Sequence, residues 1–268
     1  MKTKLLFSTL ALLSFFGTTF TAFLPSSNHQ VIAQTQRPQA YLDALEDVVI
    51  TEDHEVLENL SVVDSDQLVN VARLIREGDL KKGDLITPPS SSSKDPKVIW
   101  VTVTPELYDF CKRYKNANSE ITTDQLNYRL KQLLGVPADS NYTHVAIISV
   151  NSKYLKRVAY NPDPTSYSRE ENLRNAQDSS FPENVDDDFR HWFIKQIQSR
   201  TNIGNVNINT KSNLYPWTGL GYTYDWSPKT RLQTDAGLSE FVIFLPPNTQ
   251  LSSPIKVEDV LSTEEYCL

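Results

Sequence analysis

Glu240 and Asp225 are the two carboxylates whose surroundings best suit chemistry. Glu240 follows Gly237-Leu238-Ser239 and opens the apolar run Phe241 to Leu245, directly after a loop at 227–236 that contains Pro and Thr. A carboxylate at a strand edge beside a glycine turn can hold a ligand or exchange a proton. Asp225 lies between Tyr224 and Trp226. Two such acids could form the carboxylate pair of a glycoside hydrolase, or supply polar contacts framed by aromatic walls. The structural alternatives are a turn-capping Asp225 and a solvated Glu240 at a strand end.

Asp225 belongs to the stretch Tyr215 to Trp226, which places five aromatics in twelve residues and holds two of the four tryptophans. Gly219 and Gly221 add local backbone freedom. Aromatic side chains combine a large contact area with a polar handle, so Trp217, Tyr222, Tyr224 and Trp226 are the candidate ligand-binding residues. Their alternation at 222, 224 and 226 fits one strand face, with Asp225 opposite. The segment is therefore either the centre of a core or the wall of a site.

Four histidines exist, and His144 and His191 fall in the larger part of the chain. His144 shares a strand face with Tyr142, Ala146 and Ile148. It is a candidate acid–base group if that face lines a cleft, and otherwise a hydrogen-bonded interior histidine. His191 turns away from the apolar stripe beside it and reads as a solvated side chain. No phosphate-binding glycine loop, nucleophile elbow, zinc-protease motif or calcium loop occurs. Cys111 and Cys267 have no His or acid cluster nearby, which argues against a structural zinc site; no metal and no cofactor is expected.

The elements that must position these residues follow from periodicity. Val98 to Val103 reads as a strand, and Thr104-Pro105 starts a helix, Thr104 as cap and Pro105 at the first position. Leu107, Phe110, Cys111 and Tyr114 share one face of that helix. Thr122 and Gln125 form a capping box for the next, whose stripe is Leu126, Leu130, Leu133 and Leu134 and whose stop is Gly135 with Pro137. Tyr142 to Val150 reads as a central strand, with Lys156–Tyr160 as its candidate partner. Residues 161–183 read as an irregular polar excursion. A third helix runs from Asp186 to Arg200, its three leading aspartates complementing the helix dipole. An Asn-rich loop at 202–213, the aromatic segment and a last strand, Glu240–Leu245, complete the order.

Upstream, apolar residues at 68, 71, 72 and 75 predict a helix over Asp66–Arg76, and Pro38–Asp47 is a second helix candidate. The reading is thus an α+β fold: a mixed sheet with packed helices over 97–268, preceded by a small helical segment at 34–86 and a Pro/Ser linker at 87–96.

The first 33 residues look like a signal peptide: Lys2 and Lys4, an apolar run from Leu5 to about Leu24, and Val31-Ile32-Ala33 as the small-residue ending, with cleavage after Ala33. An uncleaved anchor is the alternative, since the run approaches the roughly 20 residues that span a bilayer. Cleavage leaves 235 of the 268 residues and moves the net charge from −7 to −9, because two lysines and no acid depart. Such acidity disfavours nucleic-acid binding, which rewards a basic face. No other stretch is apolar enough to span a membrane. An exported chain with two cysteines is expected to bridge them. The expected location is secreted or periplasmic.

The chain also resembles a group of bacterial secreted proteins to which no activity is attached. The resemblance rests on Val98 to Leu107, on Tyr215-Pro216-Trp217-Thr218 with Leu220 to Trp226, and on Gly237, Ser239 and Glu240 to Val242; it spans about residues 97–268. It implies one exported domain and no reaction type. The function expected is binding of a saccharide or peptide of the cell envelope. The alternatives are an exported enzyme, a hydrolase or toxin-like nuclease or transferase using Glu240 and Asp225, and a structural envelope protein.

Overall fold

Along the chain run α1 (Gln39–Asp47), β1 (Leu68–Ile75), β2 (Leu85–Ile86), β3 (Lys97–Val103), α2 (Thr104–Ala117), α3 (Thr123–Leu133) and β4 (His144–Asn151). They are followed by β5 (Leu155–Arg157), α4 (Arg169–Asp178), α5 (Asp187–Thr201), β6 (Tyr222–Tyr224), β7 (Ala236–Ser239), β8 (Phe241–Leu245), β9 (Ile255–Ser262) and α6 (Thr263–Tyr266). The computed structural model describes residues 37–49, 51–201, 214–229 and 234–268. These lie within one compact unit, Thr35–Leu268. The signal sequence expected at 1–33 and the Asn-rich loop at 202–213 fall outside the described residues.

The α+β class expected from the sequence is the fold observed. Seven strands form a sheet in the order β2-β9-β4-β1-β3-β8-β5, each registered pair antiparallel, and β6 and β7 form a separate ribbon. The helix expected over Asp66–Arg76 is instead β1, which pairs along its whole length with β4. Val71, Ala72, Leu74 and Ile75 are all buried. A strand covered on both faces loses its alternation and imitates helical spacing. The Pro/Ser run at 87–96 connects β2 to β3.

Local signals worked well where the chemistry is local. Thr122 accepts from the Gln125 backbone N–H while the Gln125 side chain accepts from the Thr122 backbone N–H, the reciprocal bonds expected for α3. Thr104 is the first helical residue of α2 and Val103 occupies the cap position. Two other expectations need correction. Residues 161–183 contain α4, capped by Ser168, and β5 pairs with β8 at the far edge of the sheet, away from β4.

The helices divide one sheet face between them. Leu107, Cys111, Leu126, Leu130, Tyr266 and Cys267 from α2, α3 and the C-terminus pack on Ala72, Leu74 and Val145. Phe189, Trp192 and Phe193 of α5 pack on Val242, Phe244, Val98 and Trp100. The opposite face gathers Val71, Ile99, Val101, Ile148, Phe241 and Val257 into the main core. Cys111, fully buried on α2, is bridged to Cys267 across 156 positions of sequence. Among the described residues, no helix is long and apolar enough to cross a membrane.

Candidate functional site

One seam in the sheet matters most. β1 and β3 are registered only at Val71↔Val103 and Ala72↔Thr102, although β1 continues beside β4 to Ile75 and β3 beside β8 back to Lys97. Beyond the two shared pairs the strands have no common ladder. A cavity of about 310 Å³ opens at this seam, lined by Ala72 to Leu74 from β1 and Trp100 to Thr102 from β3. The turn after α3, the end of α5 and the aromatic segment complete its wall through Leu134 to Val136, Gln196, Ser199 and Leu214 to Trp217. Tyr142, Thr223, Tyr224 and Glu240 also line it.

Glu240 is the junction residue between β7 and β8. Its backbone N–H donates to Gly221 O at 2.8 Å, and its carbonyl accepts from the Val158 N–H at 3.2 Å. These bonds clamp the residue between the aromatic segment and the β8 edge. Its side chain is buried and Oε2 has no hydrogen-bond partner among the described residues. Burial pushes the carboxyl well above the usual carboxylate range, and only the Trp217 indole, acting as a donor, favours the charged form.

Asp225 is placed otherwise. Arg129 Nη1 and Nη2 donate to its two oxygens at 3.0 and 2.6 Å, Lys229 Nζ lies 2.9 Å from Oδ2, and the Ser227 N–H donates at 3.0 Å. Burial would raise its pKa, but the Arg129 hydrogen bonds and charge, with Lys229 and Ser227, outweigh burial and hold it below the usual range. Asp225 does not line the cavity, so the structure does not bring the two carboxylates into one site. The Arg129 guanidinium also lies 4.8 Å from the Phe110 ring centre.

The four candidate aromatics divide likewise. Trp217 and Tyr224 line the cavity. The Tyr224 hydroxyl donates to Asp47 Oδ2 at 2.8 Å. Tyr222 packs with Val56 and Leu220, and Trp226 stands edge-on to Tyr41 and Tyr128. Both are buried wall-builders outside the cavity. Glycine permits this packing: a Cβ on Gly237 would collide with Thr223 Oγ1 and the Leu133 carbonyl, and Gly135, at φ +66°, passes close under Tyr224 O and Pro216 O. His144 Nδ1 is 2.9 Å from Thr143 Oγ1, and the residue does not line the cavity.

Sequence reasoning missed Arg73, Trp100, Tyr142 and Tyr215. Trp100 stands edge-on to Trp217 at 6.2 Å between ring centres. Tyr215, nearly half exposed, hydrogen-bonds Tyr142 through its side chain. Arg73 is the one cation inside the apolar run Leu68–Ile75, a signal readable once that run is recognised as a strand. Among the described residues, no group of three or more His, Cys, Asp or Glu is placed to hold a metal ion.

Compared with known proteins, the chain matches no family model, no curated protein and no solved structure.

Proposed function

We propose that this chain is an exported binding protein that takes a small polar ligand, a saccharide or peptide of the cell envelope, into the cavity at the β1–β3 seam. One observation carries the reading: a buried Glu240 carboxyl with an unpartnered oxygen lies in a cavity walled by Trp100, Tyr142, Tyr215 and Trp217. An unsatisfied buried polar atom costs about 1–3 kcal/mol, which a ligand hydroxyl or amide can recover. Aromatic walls with a few fixed polar groups are the usual make-up of small-molecule sites. Export is supported by the leader-like first 33 residues and by the Cys111–Cys267 bridge, which persists in oxidising compartments.

A second reading is favoured by the raised pKa of Glu240: a carboxyl that burial makes slower to lose its proton is suited to act as a general acid. The two-carboxylate form of that reading loses its support, because Asp225 is committed to Arg129 and Lys229. The test is titration calorimetry of the mature protein against a panel of envelope saccharides and peptides, alongside turnover assays with chromogenic glycosides. Binding that weakens at least about tenfold in Glu240→Gln, with unchanged circular dichroism, is the expected result. Equal affinity for both proteins would place binding elsewhere, and turnover abolished by the substitution would favour the enzyme.

A further inference from the structure

Arg73 lines the same cavity, and its guanidinium makes no hydrogen bond, ion pair or ring contact with any described residue. It is half-buried, and desolvation lowers its pKa from the usual arginine value. The groups that feel its charge are the Tyr142 and Tyr215 hydroxyls and Asp79. Asp79 is engaged with Arg76, whose Nε lies 3.3 Å from it. Glu240 lines the same cavity, and Arg73 is not among the groups that act on its carboxyl. A second buried cation, Arg37, lies 5.4 Å from the Tyr41 ring centre, has no partner for Nη1 among the described residues, and, like Arg73, acts on Tyr215.

A cavity with an uncompensated positive charge at one wall asks for a negative one. Arginine presents a planar fork that matches carboxylate and phosphate geometry. A cavity of about 310 Å³ stands at the small end of the roughly 300–1,000 Å³ range of small-molecule sites, the scale of one sugar ring. Resting on the binding reading above, we infer that the ligand is an anionic saccharide, its carboxylate or phosphate paired with Arg73 and its ring hydroxyls bonded to Glu240. The chain's negative net charge makes this local positive site a selective feature and not a general attraction for anions.

The test uses the whole mature protein and four probes by titration calorimetry: glucuronate, glucose 6-phosphate, neutral glucose, and the dipeptide Ala-Ala with a free carboxylate. The expected result is that glucuronate or glucose 6-phosphate binds at least about tenfold tighter than glucose, which also tells carboxylate from phosphate. Arg73→Met should erase that preference while leaving the stability of the free protein unchanged or raised, since it removes an unpaired desolvated charge. Should that variant fail to fold, the wild type decides: added sodium chloride must weaken the anionic sugar and not glucose. Glucose binding as tightly as both acids in a Glu240-dependent way would overturn this inference and keep the binding reading. Arg73-dependent binding of Ala-Ala alone would overturn the saccharide assignment, and no binding by any probe would count against both readings.

Discussion

Replacing Glu240 by Gln should change how stability depends on pH, and the sign is fixed by burial. The unfolded carboxyl titrates near 4.3, whereas the folded one is pushed well above the usual range. A raised carboxylate pKa means that the folded chain keeps a proton the unfolded chain releases. Its full contribution is present below the unfolded pKa and is lost as pH rises towards the folded pKa. Within that window each pH unit costs the wild type about 1.4 kcal/mol. Glutamine has nearly the same shape and no such titration, so the gap between the two proteins should move in favour of Glu240→Gln by that amount per unit. Any penalty for the new amide shifts all pH values equally and leaves the slope intact. With a urea m-value of roughly 3 kcal/mol/M for a chain of this size, the midpoints should separate by about 0.5 M per pH unit. Urea unfolding followed by tryptophan fluorescence in steps upward from about pH 4.3 measures it, the separation ceasing to grow once pH passes the folded pKa. Parallel midpoints would show that Glu240 titrates normally, and the argument for a neutral hydrogen-bond donor in the cavity would fall.

Asp225 predicts the opposite sign. Its depressed pKa gives stability that is present above about pH 4 and lost as pH falls through the folded value. Asp225→Asn leaves Arg129 and Lys229 without their anion and should cost about 3–5 kcal/mol at pH 7, with the gap to wild type narrowing at pH 3 in the same urea assay. The disulfide closes 156 positions of sequence, worth about 5 kcal/mol in the chain-entropy account. The double substitution Cys111→Ala with Cys267→Ala should therefore lower the melting temperature by about 10–20 °C. Scanning calorimetry showing a fall of under about 3 °C would sink that estimate.

Legibility in the sequence followed the range of the interactions involved. The capping box of α3 and the buried face of α2 could be read because each is decided within a few residues. α4 could not, because its buried residues include Asn172 and Asn175, which leave no apolar stripe. β9 begins with Ile255 and Val257 buried and Lys256 exposed, but a bulge opposite Ile147 and Ile148 breaks the alternation there. Glu240 could be singled out from the strand that follows it, although Gly237, read as part of a turn, lies within β7. Arg73 could not, because its meaning depends on β1 being a strand that parts from β3 two residues after they meet. The aromatic segment was recognised as either core or wall. It is both: Tyr222 and Trp226 build the support, and Trp217 and Tyr224 face the cavity.

The seam also explains why the cavity lies where it does. Two half-sheets that share only two registered pairs cannot continue one packed surface across their junction. The helices cover each half separately, α2, α3 and α6 on one side and α5 on the other. The aromatic segment bridges the gap, tied down by Thr223 Oγ1 donating to the Leu133 carbonyl at 2.7 Å and by Trp226 Nε1 donating to the Val136 carbonyl at 3.0 Å. A bridge built this way leaves a space bounded by rigid strands below and aromatic rings above. Filling it with apolar side chains would have been the more stable solution, since a buried carboxyl with one unpartnered oxygen and an unpaired guanidinium both lower stability. Their presence on one cavity costs the free protein energy that a ligand with complementary charge and hydroxyls would return, which is why Arg73 and Glu240 are the pair on which binding should turn.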